Sequence, residues 1–107
     1  MEFLKTKNDE LIKLCRNFHV LQLYLFGSQA KGTFRENSDI DLLVYFDKIN
    51  LLDYADNYFD FFYSLEKLFN KKIDLVSGKA LKNPYFIKEI ENTKQLIYDI
   101  NNQKIAF

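Results

Sequence analysis

Short apolar runs alternate in this chain with longer stretches whose apolar residues recur every three or four positions. No other feature restricts the fold as much. Val20–Phe26 is dense in leucine, aromatic and β-branched residues, and Ile40–Phe46 and residues 72–76 read the same way, as strands. Leu11, Leu14, Cys15 and Phe18 fall at helical spacing behind Asn8, Asp9 and Glu10, a helix start whose two acids suit the positive end of the dipole. That pattern predicts a first helix over 8–18. Leu51–Phe69 reads as a long helix, and 95–98 as a fourth strand. Asn83 followed by Pro84 is the signature of an N-cap with proline at the first helical position, which starts a helix running to about residue 91. Strands that alternate with helices give an α/β architecture with helices covering a small sheet. One domain spanning 1–107 is expected at this length. Strand order and direction are not legible in the pattern.

Composition narrows the function classes. Net charge is zero, whereas a protein that grips nucleic acid through its phosphates carries a basic excess, so direct nucleic-acid binding is not expected. Cys15 is the one cysteine, which excludes an internal disulfide and a thiolate zinc cluster; it reads as a half-buried small hydrophobe. His19 is the one histidine and reads as a helix-end or turn residue rather than part of a catalytic triad. The run 20–26 falls far short of the roughly 20 residues of a membrane span, and no signal peptide is visible, so a soluble cytoplasmic protein is expected.

The chemistry concentrates in 25–44. A strand runs into Gly27-Ser28, and after ten intervening residues Asp39 and Asp41 open a second strand. A glycine at a strand end lets the backbone approach a ligand or take a positive φ, and following N–H groups with the Ser28 hydroxyl can hold phosphate oxygens. Taken alone, a Gly-Ser pair equally marks an ordinary turn. Asp39, Asp41 and Leu43 share one strand face, with Ile40, Leu42 and Val44 on the other. Two carboxylates so placed repel unless a cation sits between them, and magnesium is held by one or two carboxylates with substrate phosphates. A solvated acidic face is the alternative. Asp74 lies between Ile73 and Leu75, where an unpaired acid would be costly. If its strand neighbours the second one, Asp74 can join Asp39 and Asp41 around two metal ions, and could orient or deprotonate an attacking hydroxyl.

Gly27-Ser28, the ten-residue spacing, Asp39-Ile40-Asp41 and Asp74 together resemble the signature of the polymerase-beta-like nucleotidyltransferase superfamily, and most of all its minimal, MNT-type branch. The resemblance implies a small mixed β-sheet flanked by helices. It implies transfer of AMP from ATP to a hydroxyl with release of pyrophosphate. Gly27 and Ser28 would hold the triphosphate, Asp39 and Asp41 would bind Mg2+, and Asp74 would be the third catalytic and metal-binding carboxylate. Lys31 stands where many relatives have arginine and would meet a phosphate as a point charge rather than a fork. Gln29 also replaces a basic residue common in relatives, which bears on nucleotide affinity and donor choice.

Larger relatives carry separate acceptor-binding domains, for which 107 residues leave no room, so the acceptor site is expected to need a partner or a second copy. The minimal branch resembles antitoxins paired with HEPN-type helical toxins, which are silenced by attachment of AMP to a tyrosine. A module that neutralises its partner by occlusion, and a small-molecule nucleotidyltransferase with a separate acceptor subunit, are the other readings. The long helix bears on the choice. Leu51, Tyr54, Ala55, Tyr58, Phe62, Leu65 and Phe69 form one face, with Leu52, Phe59 and Tyr63 as one shoulder and Phe61 and Leu68 as the other. That apolar arc is about twice the ~100° of a helix packed on one side. It fits either a helix that also meets another subunit or a helix well covered within its own domain.

Overall fold

Side-chain alternation along Ile40–Phe46 organises the molecule, because Ile40, Leu42 and Val44 are buried on one face of that strand and Leu43 on the other. The computed structural model describes residues 7–27 and 39–101. Its elements are α1 (Asn8–Asn17), β1 (Val20–Phe26), β2 (Ile40–Phe46), α2 (Leu51–Phe69), β3 (Ile73–Ser77), a 3-10 turn (Gly78–Ala80), α3 (Pro84–Thr93) and β4 (Gln95–Asp99). The strands form one sheet in the order β3-β2-β1-β4. β1 runs antiparallel to both β2 and β4, whereas β3 runs parallel to β2, as the helical crossover through α2 requires. The sheet is therefore mixed and flanked by helices, as expected. No helix among the described residues is long and apolar enough to cross a membrane.

The larger core lies between the sheet and the pair α1 and α2. Leu11 and Cys15 from α1 meet Phe61, Leu65 and Phe69 from α2 over Leu23, Leu25, Ile40, Leu42 and Val44. Cys15 is fully buried rather than half-buried, which pushes its thiol far up and leaves it inert. His19 has φ +59° in the turn between α1 and β1, and its carbonyl accepts the Asp47 N–H at 2.7 Å. The second core is smaller: Phe26, Leu43 and Ile90 pack on the opposite sheet face beneath α3. α3 starts as its sequence dictates, with the Asn83 side chain accepting from the N–H groups of Tyr85 and Phe86 at 2.9 and 3.3 Å.

α2 has the predicted span but a different inward face. Phe61 is fully buried, in contact with Phe18 and Phe46 at ring-centroid distances of 5.9 Å each, whereas Leu51 and Ala55 are exposed. The periodicity centred the buried stripe on Tyr58 and Phe62, which are only half-buried. Packing against α1 turns the helix toward Phe61 and Leu65, and the leucines of its first turn, Leu51 and Leu52, are exposed. On the flank facing β3, the Tyr58 hydroxyl donates to the Leu75 carbonyl.

Candidate active site

Strand pairing assembles the site from segments far apart in sequence. Antiparallel pairing of β1 with β2 sets Phe26 opposite Asp41, so the end of β1 lies beside the start of β2. Parallel pairing of β2 with β3 sets Asp41 opposite Asp74, on the sheet face that also carries Leu43. The condition attached to Asp74 in the sequence, that its strand neighbour the second one, is met. Its burial is not as expected: Asp74 is exposed at the sheet edge, so it bears no large desolvation cost.

Gly27 terminates β1 at φ +75°, and a methyl group placed on it would stand 2.5 Å from Oδ2 of Asp41. The Asp41 carboxylate thus lies directly against the glycine backbone. Burial pushes the Asp41 carboxyl up from 3.8 to about 6. The charges of Asp74 and Asp39, a side-chain hydrogen bond with Asp74, and the charge of Glu89 add to the rise. Two carboxyl groups hydrogen-bond to each other only when one holds a proton, so above about pH 6 the Asp41 charge stands beside Asp74 without that bond and a cation there would be favoured. Asp39 stands one residue ahead of the β2–β3 ladder, whose first pair is Ile40 with Ile73, and is exposed. Among the described residues no three acid, histidine or cysteine side chains converge into a ready metal cage. The donor set fits Mg2+ nonetheless. It consists of hard carboxylate oxygens crowded enough to raise the proton affinity of Asp41, and this ion needs only one or two of them when phosphates complete its shell.

A match to the polymerase beta nucleotidyltransferase family model extends over residues 9–103. The chain belongs to that family. This nucleotidyltransferase is 41% identical over 92 residues to a predicted protein adenylyltransferase of Methanocaldococcus jannaschii, covering 86% of this chain and 87% of that protein. Its fold resembles a chain in the crystal structure of a toxin–antitoxin pair with AMP-PNP, with a TM-score of 0.66, 22% identity, and 90% of this chain and 77% of the other covered. It also resembles a chain in the structure of tri-AMPylated Shewanella oneidensis HEPN toxin in complex with MNT antitoxin, with a TM-score of 0.61, 18% identity, and 92% and 74% covered. At those identities the likeness is one of fold.

Two features of the nucleotidyltransferase escaped sequence reasoning. Glu89 adds negative charge at Asp41 because Phe86 and Ile90 anchor α3 over Phe26 and Leu43; its helical offset from Ile90 was the available signal, but nothing placed α3 on this sheet face. A groove of about 280 Å3 runs along the sheet edge, lined by Tyr58, Phe59 and Phe62 of α2 and by residues 72–75, so it reaches Asp74 from the α2 side. Ser28, Gln29 and Lys31 lie outside the described residues.

Proposed function

We propose that this single domain is a protein adenylyltransferase that moves AMP from ATP to a hydroxyl of a HEPN-type helical partner, a tyrosine by the resemblance, and so acts as the antitoxin of that partner in the cytoplasm. The observation that carries this reading is the pairing of Asp41 with Asp74, with Asp41 seated against Gly27, in a chain whose family transfers nucleotides. The Methanocaldococcus relative, the AMP-PNP complex and the AMPylated HEPN complex support the donor and the partner class.

In this reading Asp39 and Asp41, with Asp74 as the third carboxylate, would hold two Mg2+ ions. When bound, these supply positive charge to the triphosphate oxygens and lower the proton affinity of the acceptor hydroxyl. Gly27, Ser28 and Lys31 hold the triphosphate. The acceptor oxygen forms a bond to the α-phosphorus, the bond from that phosphorus to the bridging oxygen breaks, and pyrophosphate leaves. Asp74 orients the acceptor hydroxyl and takes its proton. Asp74 suits this role because it is exposed on the edge strand, whereas Asp41 is held down against Gly27.

The test is incubation with α-labelled ATP, Mg2+ and a HEPN-type protein of the same organism. Label should appear on the HEPN protein and vanish with Asp39→Ala/Asp41→Ala. Equal labelling by that double variant, or none by the natural chain, refutes the reading. Protection of cells by the double variant would instead favour occlusion, which the exposed aromatics of α2 could also serve.

A further inference from the structure

The outer side of α2 carries an apolar stripe that the fold does not use. Leu52, Phe59 and Tyr63 are 87%, 51% and 59% exposed, and Phe59 and Tyr63 stack on each other at 6.5 Å. At 100° per residue these three and Asp56 fall on one narrow strip of the helix, with Asp53 and Asp60 along one border. All three aspartates are exposed, and no lysine or arginine occurs between Leu51 and Tyr63. The strip is thus apolar apart from Asp56, and acidic along one margin. It is also continuous with the edge groove, because Phe59 belongs to both, and Asp74 is among the residues that line the groove. With about 280 Å3, that groove falls just short of the roughly 300 Å3 at which ligand pockets begin, so it suits one protruding side chain.

We infer that this face of α2 docks the acceptor protein through a patch of lysines or arginines around an apolar centre, and that the groove guides the acceptor's side chain toward Asp74. The inference rests on the acceptor being a protein, as proposed above. Charge decides the occupant. A face that carries exposed Asp53, Asp56 and Asp60, with no lysine or arginine between Leu51 and Tyr63, complements a surface of lysines or arginines. A second copy of this chain, joined about a two-fold axis, would instead set the same aspartates against one another. Lys67, exposed one turn beyond Tyr63 on the same border as Asp60, marks where the acidic margin ends.

The experiment measures binding of the full chain to a HEPN-type protein of the same organism by titration calorimetry, with AMP transfer recorded separately. Phe59→Asp should weaken binding by about 30-fold or more, the loss expected of an aromatic anchor. Asp53→Lys/Asp56→Lys/Asp60→Lys should weaken it by about tenfold, and should flatten or reverse the salt dependence seen with the natural chain. Unchanged melting temperatures show that these exposed replacements leave the fold intact. Binding by both variants within about threefold of the natural chain overturns the inference. So does absence of binding by the natural chain, or a homodimer that Phe59→Asp dissociates. Binding lost by the variants, with no AMP transferred by the natural chain, upholds the docking face and removes the transferase reading alone.

Discussion

Asp41 rests on Gly27: its Oδ2 occupies the place a methyl group on Gly27 would need, 2.5 Å away. The glycine therefore serves the carboxylate as directly as it could serve a phosphate. Substituting it acts twice, through backbone strain at φ +75° and through displacement of Asp41. Gly27→Ala is expected to cost about 1–2 kcal/mol of stability from the left-handed backbone. Activity should fall further, roughly 100-fold, because a shift of about 1 Å at a catalytic group has that effect. Chemical denaturation and initial rates of AMP transfer measure the two losses. Full activity in this variant would show that Asp41 need not sit where it does.

The raised proton affinity of Asp41 gives a pH signature. Its carboxyl ordinarily titrates at 3.8 and in the fold at about 6, so the folded chain binds this proton more tightly than the unfolded chain. The contribution of Asp41 to stability must then fall as pH rises between about 4 and 6 and level off above, because within that range the unfolded state carries fewer protons at this position. Asp41→Asn should melt higher than the natural chain in EDTA at pH 7.5, with most of that gain gone at pH 4. A melting difference that stays constant over this range would mean that Asp41 titrates normally.

Asp74 should behave oppositely in stability and in activity. Asp74→Asn removes a negative charge from beside Asp41, so the metal-free protein should melt at a higher temperature. AMP transfer should fall by roughly 100- to 10,000-fold if Asp74 takes the acceptor proton. Mg2+ should also raise the melting temperature less in this variant than in the natural chain. Retained activity with reduced metal response would leave Asp74 as a ligand and remove it as the base.

The orientation of α2 separates two residues that its periodicity placed differently. Phe61→Ala should cost about 3–5 kcal/mol, as for other buried phenylalanines, since its ring is enclosed by Phe18, Phe46 and the larger core. Leu52→Ala, at 87% exposed, should change the stability of the isolated chain by no more than about 0.5 kcal/mol. Urea melts of the two variants measure this directly.

Local pattern carried most elements. Val20–Phe26, Ile40–Phe46 and Leu51–Phe69 span the residues their periodicity indicated, and Asn83-Pro84 starts α3 as its capping chemistry requires. The third strand begins one residue later than expected and continues through Ser77, a shift within the reach of fraying at strand ends. What stayed hidden depended on contacts between elements. The direction of β3 relative to β2 decides whether Asp74 meets Asp41, and nothing local to either strand encodes it. The rotation of α2 depends on the shape of α1, so Phe61 read as a shoulder and Leu51 as core. Glu89 became visible only once α3 was placed over Phe26 and Leu43.

The Tyr58 hydroxyl on the Leu75 carbonyl has a bearing beyond this chain's own stability. β3 is an edge strand, and Ile40 N–H donating to the Lys72 carbonyl fixes which carbonyls turn inward to β2; by alternation that of Leu75 turns outward. An outward carbonyl in an apolar strand is an open invitation for a foreign strand to extend the sheet. Tyr58 occupies that acceptor from within the molecule. A visitor at this edge therefore finds aromatic side chains and an acid rather than a continuous backbone ladder. Recognition there must read chemical identity, and indiscriminate strand-to-strand polymerisation is checked at the same point.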